Sequence, residues 1–132
     1  MPSSPERGAE SPQQAGVGPD NPLAFLEQLT GNNPARIRKY LRLYLEALEE
    51  NLPRLEAARS GPDREEIRRL AHTLKPQLRM LGLEPLAVQA QTLETQALEG
   101  TDLDVLPEKV DRFIRALQQT VAPFQAYLDQ PA

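Results

Sequence analysis

The chain has no cysteine, no tryptophan and a single histidine in 132 residues, with only three phenylalanines and three tyrosines. Without cysteine there are no disulfides, no thiolate nucleophiles and no cysteine-based zinc sites. That fits a reducing compartment, and a cytoplasmic location is expected. The shortage of aromatic and β-branched residues speaks against a sheet. No apolar run approaches the roughly 18 residues of a membrane span, and the N-terminus has no signal-peptide core. There is also no glycine-rich phosphate loop, no kinase signature and no His-Glu metal cluster. Nothing here would bind and cleave a nucleotide, so the chain is expected to be no enzyme and to bind no cofactor or metal of its own.

What is abundant is leucine, alanine, glutamate, glutamine and arginine, a helical composition with a hydrophobic share of 39%. The formal net charge of −4 disfavours nucleic acid as a partner. Residues 62–82 nevertheless carry five Lys/Arg against three Asp/Glu, a locally basic stretch suited to an acidic or phosphorylated partner. Residues 1–20 hold four prolines, three glycines and one β-branched residue, Val17. Such a segment cannot bury enough surface to offset its ordering entropy and reads as a flexible tail. The remainder, 21–132, reads as one domain.

Punctuation divides that domain into five helical segments. Asp20/Asn21 before Pro22 starts a short amphipathic helix with Leu23, Leu26 and Leu29, ending at Gly31. Asn33-Pro34 starts a long one, whose stripe of Ile37, Leu41, Tyr44, Leu45, Leu48, Leu52 and Leu55 should bend near Pro53. Gly61-Pro62-Asp63 opens the third, closed by Gly82; Pro85 opens the fourth, with Leu86, Ala90, Leu93 and Ala97 on one face until Gly100. A fifth should start at Asp102 or Asp104 and run continuously through Leu106, Val110, Phe113, Leu117, Val121, Phe124 and Leu128, bent near Pro123. No window alternates with period two, and there is no repeat of 20–50 residues. The expected fold is all-α: an antiparallel four-helix bundle, up-down-up-down, with an additional short N-terminal helix. A monomer is expected, since the bundle can bury its stripes within one chain.

His72 lies in the third segment, among Ile67, Leu70, Ala71, Leu74, Leu78 and Leu81. At about 100° per residue it falls roughly 150° from the centre of that apolar stripe. The ring should therefore face water. Arg68, Lys75 and Arg79, at i−4, i+3 and i+7, should share its side of the helix. A reachable imidazole in a cationic collar suits a nucleophile that accepts and holds a phosphoryl group: after transfer the same cations would face a dianion. Lys75 is the best placed to touch a phosphate oxygen, while Arg68 and Arg79 could do so or meet the acidic rim of a docking partner. Phosphoryl transfer also needs a metal ion and in-line positioning, which the partner would have to bring.

Ala71-His72-Thr73-Leu74-Lys75, followed by Leu81-Gly82, closely resembles the histidine-containing phosphotransfer (HPt) domain, whose members read His-x-Leu-Lys-Gly-Ser with a later glycine. The resemblance spans residues 33–129. It implies that His72 is the phospho-acceptor, exchanging a phosphoryl group with an aspartate on response-regulator receiver domains that supply the Mg²⁺. Lys75 would be its cationic neighbour and phosphate contact, and Gly82 would mark the close approach of the third and fourth helices. The chain departs from the pattern at Pro76, where the family has glycine, and at Gln77 and Leu78. Pro76 leaves the His72 carbonyl without its helical partner, which implies a bend and, with Arg68 and Arg79, a partner-binding surface that selects among receivers. The expected function is a carrier of a two-component phosphorelay, with a receiver domain or a hybrid histidine kinase as partner. The alternatives are an HPt-like bundle that binds a receiver or kinase without carrying phosphate, and the donor module of a chemotaxis-type kinase.

Overall fold

The computed structural model describes residues 22–100 and 104–131; the expected N-terminal tail and the Asp102 helix start lie outside them. The described residues form six helices: α1 (Pro22–Thr30), α2 (Pro34–Ser60), α3 (Arg64–Met80), α4 (Glu84–Glu99), α5 (Leu106–Gln119) and α6 (Val121–Leu128). Their starts follow local capping chemistry. The Asn33 side chain accepts from the Arg36 amide, with Pro34 in the first turn where its missing N–H costs nothing. Asp63 does the same for α3, accepting from the Glu66 amide, so it precedes the helix rather than lying in its first turn. Glu65 and Glu66 then place two carboxylates at the positive end of the α3 dipole.

The apolar stripes become one core. Ile37, Leu41, Tyr44, Leu48 and Leu55 of α2 are buried, with Leu45 and Leu52 at its edge. They meet Ile67, Leu70, Ala71, Leu74 and Leu78 of α3, Leu86, Ala87, Ala90, Leu93 and Ala97 of α4, and Leu106, Val110, Phe113, Ile114 and Leu117 of α5. α2 packs against α3 and α5, and α4 against α3 and α5, so the four longest helices make a closed cycle of contacts. The α3–α4 contact is the most extensive. Ala71 of α3 and Ala87 and Ala90 of α4 are fully covered, and methyl side chains allow neighbouring backbones to approach. Asn51, a polar residue in the α2 stripe, is satisfied within its own helix by donating to the Ala47 carbonyl at 2.8 Å.

The expected fifth helix is two. Asp104 lies in a turn, Val105 precedes α5 without a side-chain cap, and the chain breaks at Thr120 between α5 and α6. Pro123 is the physical reason: it has no N–H to donate to the Gln119 carbonyl, four residues back, so the helical ladder is interrupted there. Thr120 takes up the junction, its hydroxyl donating to the Leu117 carbonyl at 2.6 Å and lying 2.8 Å from the Tyr44 hydroxyl. Burial pushes the Tyr44 phenol up to about 12, against the opposing effect of that hydrogen bond. Tyr44 also meets the Phe124 ring edge-on at a centroid distance of 5.7 Å, pinning α6 to α2. Arg38 completes the attachment by donating to the carbonyls of Leu128 (2.9 Å) and Gln130 (2.7 Å). Pro53 and Pro76, by contrast, interrupt neither α2 nor α3.

Candidate functional site

α3 is held from below and free above. Ile67, Leu70, Ala71, Leu74 and Leu78 face the core, and His72, Thr73, Pro76 and Arg79 remain on the exposed side. His72 projects outward with its side chain 65% exposed. Lys75, expected in the open collar, is largely covered instead, at 16% exposure. Its stem crosses towards α4, where the ammonium donates to Gln91 Oε1 at 2.7 Å and Glu94 Oε1 at 2.8 Å.

Glu94 is the residue that sequence reasoning missed. Its second oxygen, Oε2, lies 2.8 Å from His72 Nδ1. A carboxylate only accepts, so Nδ1 carries the hydrogen, and Nε2 is the nitrogen with its lone pair directed outward. One carboxylate, itself 16% exposed, thus fixes both the ring tautomer and the ammonium of Lys75. The Lys75 hydrogen bond, with smaller help from His72, holds the Glu94 carboxyl below the usual carboxylate range despite the opposing effect of burial. Gln91 continues the network, donating from Nε2 to Thr95 Oγ1 at 3.2 Å. Of the α4 glutamines Gln89, Gln91 and Gln96, only Gln91 joins the cluster, through Lys75. The close α3–α4 seam carries Glu94 to the ring across 22 residues of sequence. One signal did point to it: between Pro85 and Leu98, α4 contains a single ionisable residue, and it is Glu94.

The collar is therefore mixed in sign. Arg68 lies one turn before His72 but pairs with Glu65, which holds the Glu65 carboxyl down and the Arg68 guanidinium up. Arg69 pairs with Glu66 at 2.7 Å. Arg79 is exposed and makes no ion pair with any described residue. Pro76 stands exposed one turn after His72 and withholds the amide that would otherwise reach the His72 carbonyl. Gly82 has φ +73, and a Cβ there would stand 2.6 Å from Phe25 Cγ, so its close approach is to α1 rather than between α3 and α4. Leu83 is buried, whereas Met80 is half exposed. Phe25 and Tyr40 sit at the rim of the core. Among the described residues no group of three or more His, Asp or Glu side chains could hold a metal ion, and no helix is long and apolar enough to cross a membrane.

The described residues, all helices and their connections, present one exposed imidazole, held at Nδ1 by Glu94. The family model of the Hpt domain matches residues 39–123, which include all of α3, α4 and α5 and most of α2. The chain belongs to the Hpt-domain family, the phosphocarriers of two-component relays. Neither the curated proteins nor the solved structures give a match to this chain.

Proposed function

We propose that this chain carries a phosphoryl group on His72 Nε2 between receiver-domain aspartates. The observation that supports the reading most directly is the Glu94–His72 hydrogen bond: it holds hydrogen on Nδ1 and leaves Nε2 as the accessible nucleophile. In the transfer, the Nε2 lone pair attacks phosphorus of an aspartyl phosphate. The phosphorus–oxygen bond breaks and the aspartate leaves as a carboxylate. The new nitrogen–phosphorus bond makes the ring cationic while Nδ1 keeps its hydrogen, and the Glu94 carboxylate faces that charge. Lys75 lies one turn along α3 from the transferred group, with Arg79 beyond it. Return of the phosphoryl group to another aspartate reverses these steps. The Mg²⁺ and the in-line geometry are assigned to the receiver, and the chain to the role of carrier rather than catalyst.

The same reading extends to the frame. Three-residue connections at 61–63 and 81–83 and the closed cycle of contacts support an antiparallel up-down-up-down bundle of α2 to α5. We assign the chain to the cytoplasm as a monomer, with a receiver domain or a hybrid histidine kinase as its partner.

The test is incubation with a receiver domain phosphorylated by acetyl phosphate in the presence of Mg²⁺. The expected product is an acid-labile, base-stable phosphate, located on residue 72 by mass spectrometry and absent from His72→Gln. Labelling that persists in His72→Gln would overturn the assignment. Binding of the receiver without any transferable phosphate would favour a purely associative role.

A further inference from the structure

We infer that a pocket between α2 and α3, beside the His72 site, seats an apolar side chain of the partner that exchanges the phosphoryl group. The inference rests on the carrier reading and names which of this chain's residues choose the partner. The cavity holds about 90 Å³. Its floor is Tyr44 and Leu81, both buried, and its walls are Tyr40, Leu43, Gln77 and Met80. Leu43 and Met80 stand 50% and 49% exposed, an arrangement that the core does not require of either side chain. On α3 the pocket joins the reactive residue without a break, because Thr73, Pro76, Gln77 and Met80 follow at three- and four-residue spacing and make one edge of the helix. A surface resting over His72 would cover that edge.

The rim identifies the occupant's chemistry. Arg36 and Lys39 lie one turn before Tyr40 and Leu43 on α2, and Arg79 adjoins Met80; all three are exposed and none forms an ion pair with a described residue. In a chain with net charge −4, that concentration of unpaired cations around an apolar hollow fits a partner whose apolar side chain is bordered by carboxylates. A receiver offering its phosphorylated aspartate would bring such a border. Two acceptors along the same edge lack a usual donor from the described residues. Gln77 Oε1 is buried without a hydrogen-bond partner, and the His72 carbonyl has lost its helical donor to Pro76. A partner segment with an N–H or hydroxyl beside its apolar side chain would recover what this edge lacks. Pro76 and Gln77, two of the three departures from the family pattern next to the motif, thus fall on the face that does the selecting.

The experiment compares wild type with Leu43→Glu, Met80→Glu and a surface control, Ala126→Glu on α6. Each is titrated with acetyl-phosphate-charged receiver domains, and each is separately phosphorylated with phosphoramidate, a small donor that needs no docking surface. The expected result is that Leu43→Glu and Met80→Glu raise the receiver concentration for half-maximal transfer about tenfold, leave the saturated rate within about twofold, and leave phosphoramidate labelling unchanged. Ala126→Glu should change none of these. Unaltered receiver dependence in both pocket variants would overturn the pocket, while the carrier reading stood. Wild type that accepts phosphate from neither receivers nor phosphoramidate would overturn the carrier reading itself.

Discussion

Glu94 makes two bonds at once, and its protonation would break the basis of both. Its carboxyl titrates lower in the folded chain than in the unfolded one, where the ordinary value is 4.5. A depressed carboxylate stabilises the fold fully above its unfolded value, and that contribution disappears as the pH falls through the folded value. Wild type should therefore lose more stability than Glu94→Gln between neutral pH and the acid side of 4.5, and the two denaturant midpoints should converge there. The same substitution keeps an acceptor for Nδ1 but removes the negative charge that faces a cationic phospho-ring. Phosphorylation of His72 by phosphoramidate at pH 7 should slow on the order of tenfold, equivalent to about 1.4 kcal/mol. An unchanged labelling rate would show that the carboxylate does no more than anchor Lys75. That His72 and Lys75 belong together was legible from their spacing on one helix. Glu94 was not, because its contribution depends on how close α4 lies to α3, and periodicity within a helix says nothing about the distance to its neighbour.

At the scale of the helix, three internal prolines behave in two ways. Pro53 and Pro76 lie in helices that continue on both sides with buried residues in register: Leu48 and Leu55 around the first, Leu74 and Leu78 around the second. Packing of those stripes outweighs the missing hydrogen bond. Pro123 has weaker support on its C-terminal side, where α6 buries only Phe124 fully, and there the helix divides at Thr120. The apolar sequence pattern is continuous across all three sites, so helix existence, caps and core faces could be read from it, but not which proline would divide its helix. Replacing Pro76 with alanine restores the donor for the His72 carbonyl in an already helical backbone. It should stabilise the chain by about 1–3 kcal/mol, read from the urea midpoint at constant slope. A destabilised Pro76→Ala would mean that the carbonyl is satisfied in some other way and that the ring packs favourably where it is.

For the molecule as a whole, stability and reactivity draw on different contacts and should separate. Leu117 is fully buried on α5, outside the α3–α4 pair that supplies His72, Lys75, Gln91 and Glu94. Leu117→Ala should cost about 2–5 kcal/mol through lost burial and the cavity left behind. At 10 °C, where enough of that variant remains folded, phosphoramidate should label its His72 at the wild-type rate per folded molecule. Ala87 is also fully buried, but on the edge of α4 that continues through Gln91 to Glu94. A larger side chain there must push α4 away from α3. Ala87→Leu should cost about 1–3 kcal/mol by overpacking, less than the cavity in Leu117→Ala. Its effect on labelling should nevertheless be larger, because a displacement of about 1 Å stretches both Glu94 hydrogen bonds past useful length. Circular dichroism reports the folded fraction and labelling per folded molecule reports the site. If the two variants lost labelling in proportion to stability alone, the α3–α4 seam would be merely part of the core, and the closeness of its alanines would have no bearing on how the imidazole is held.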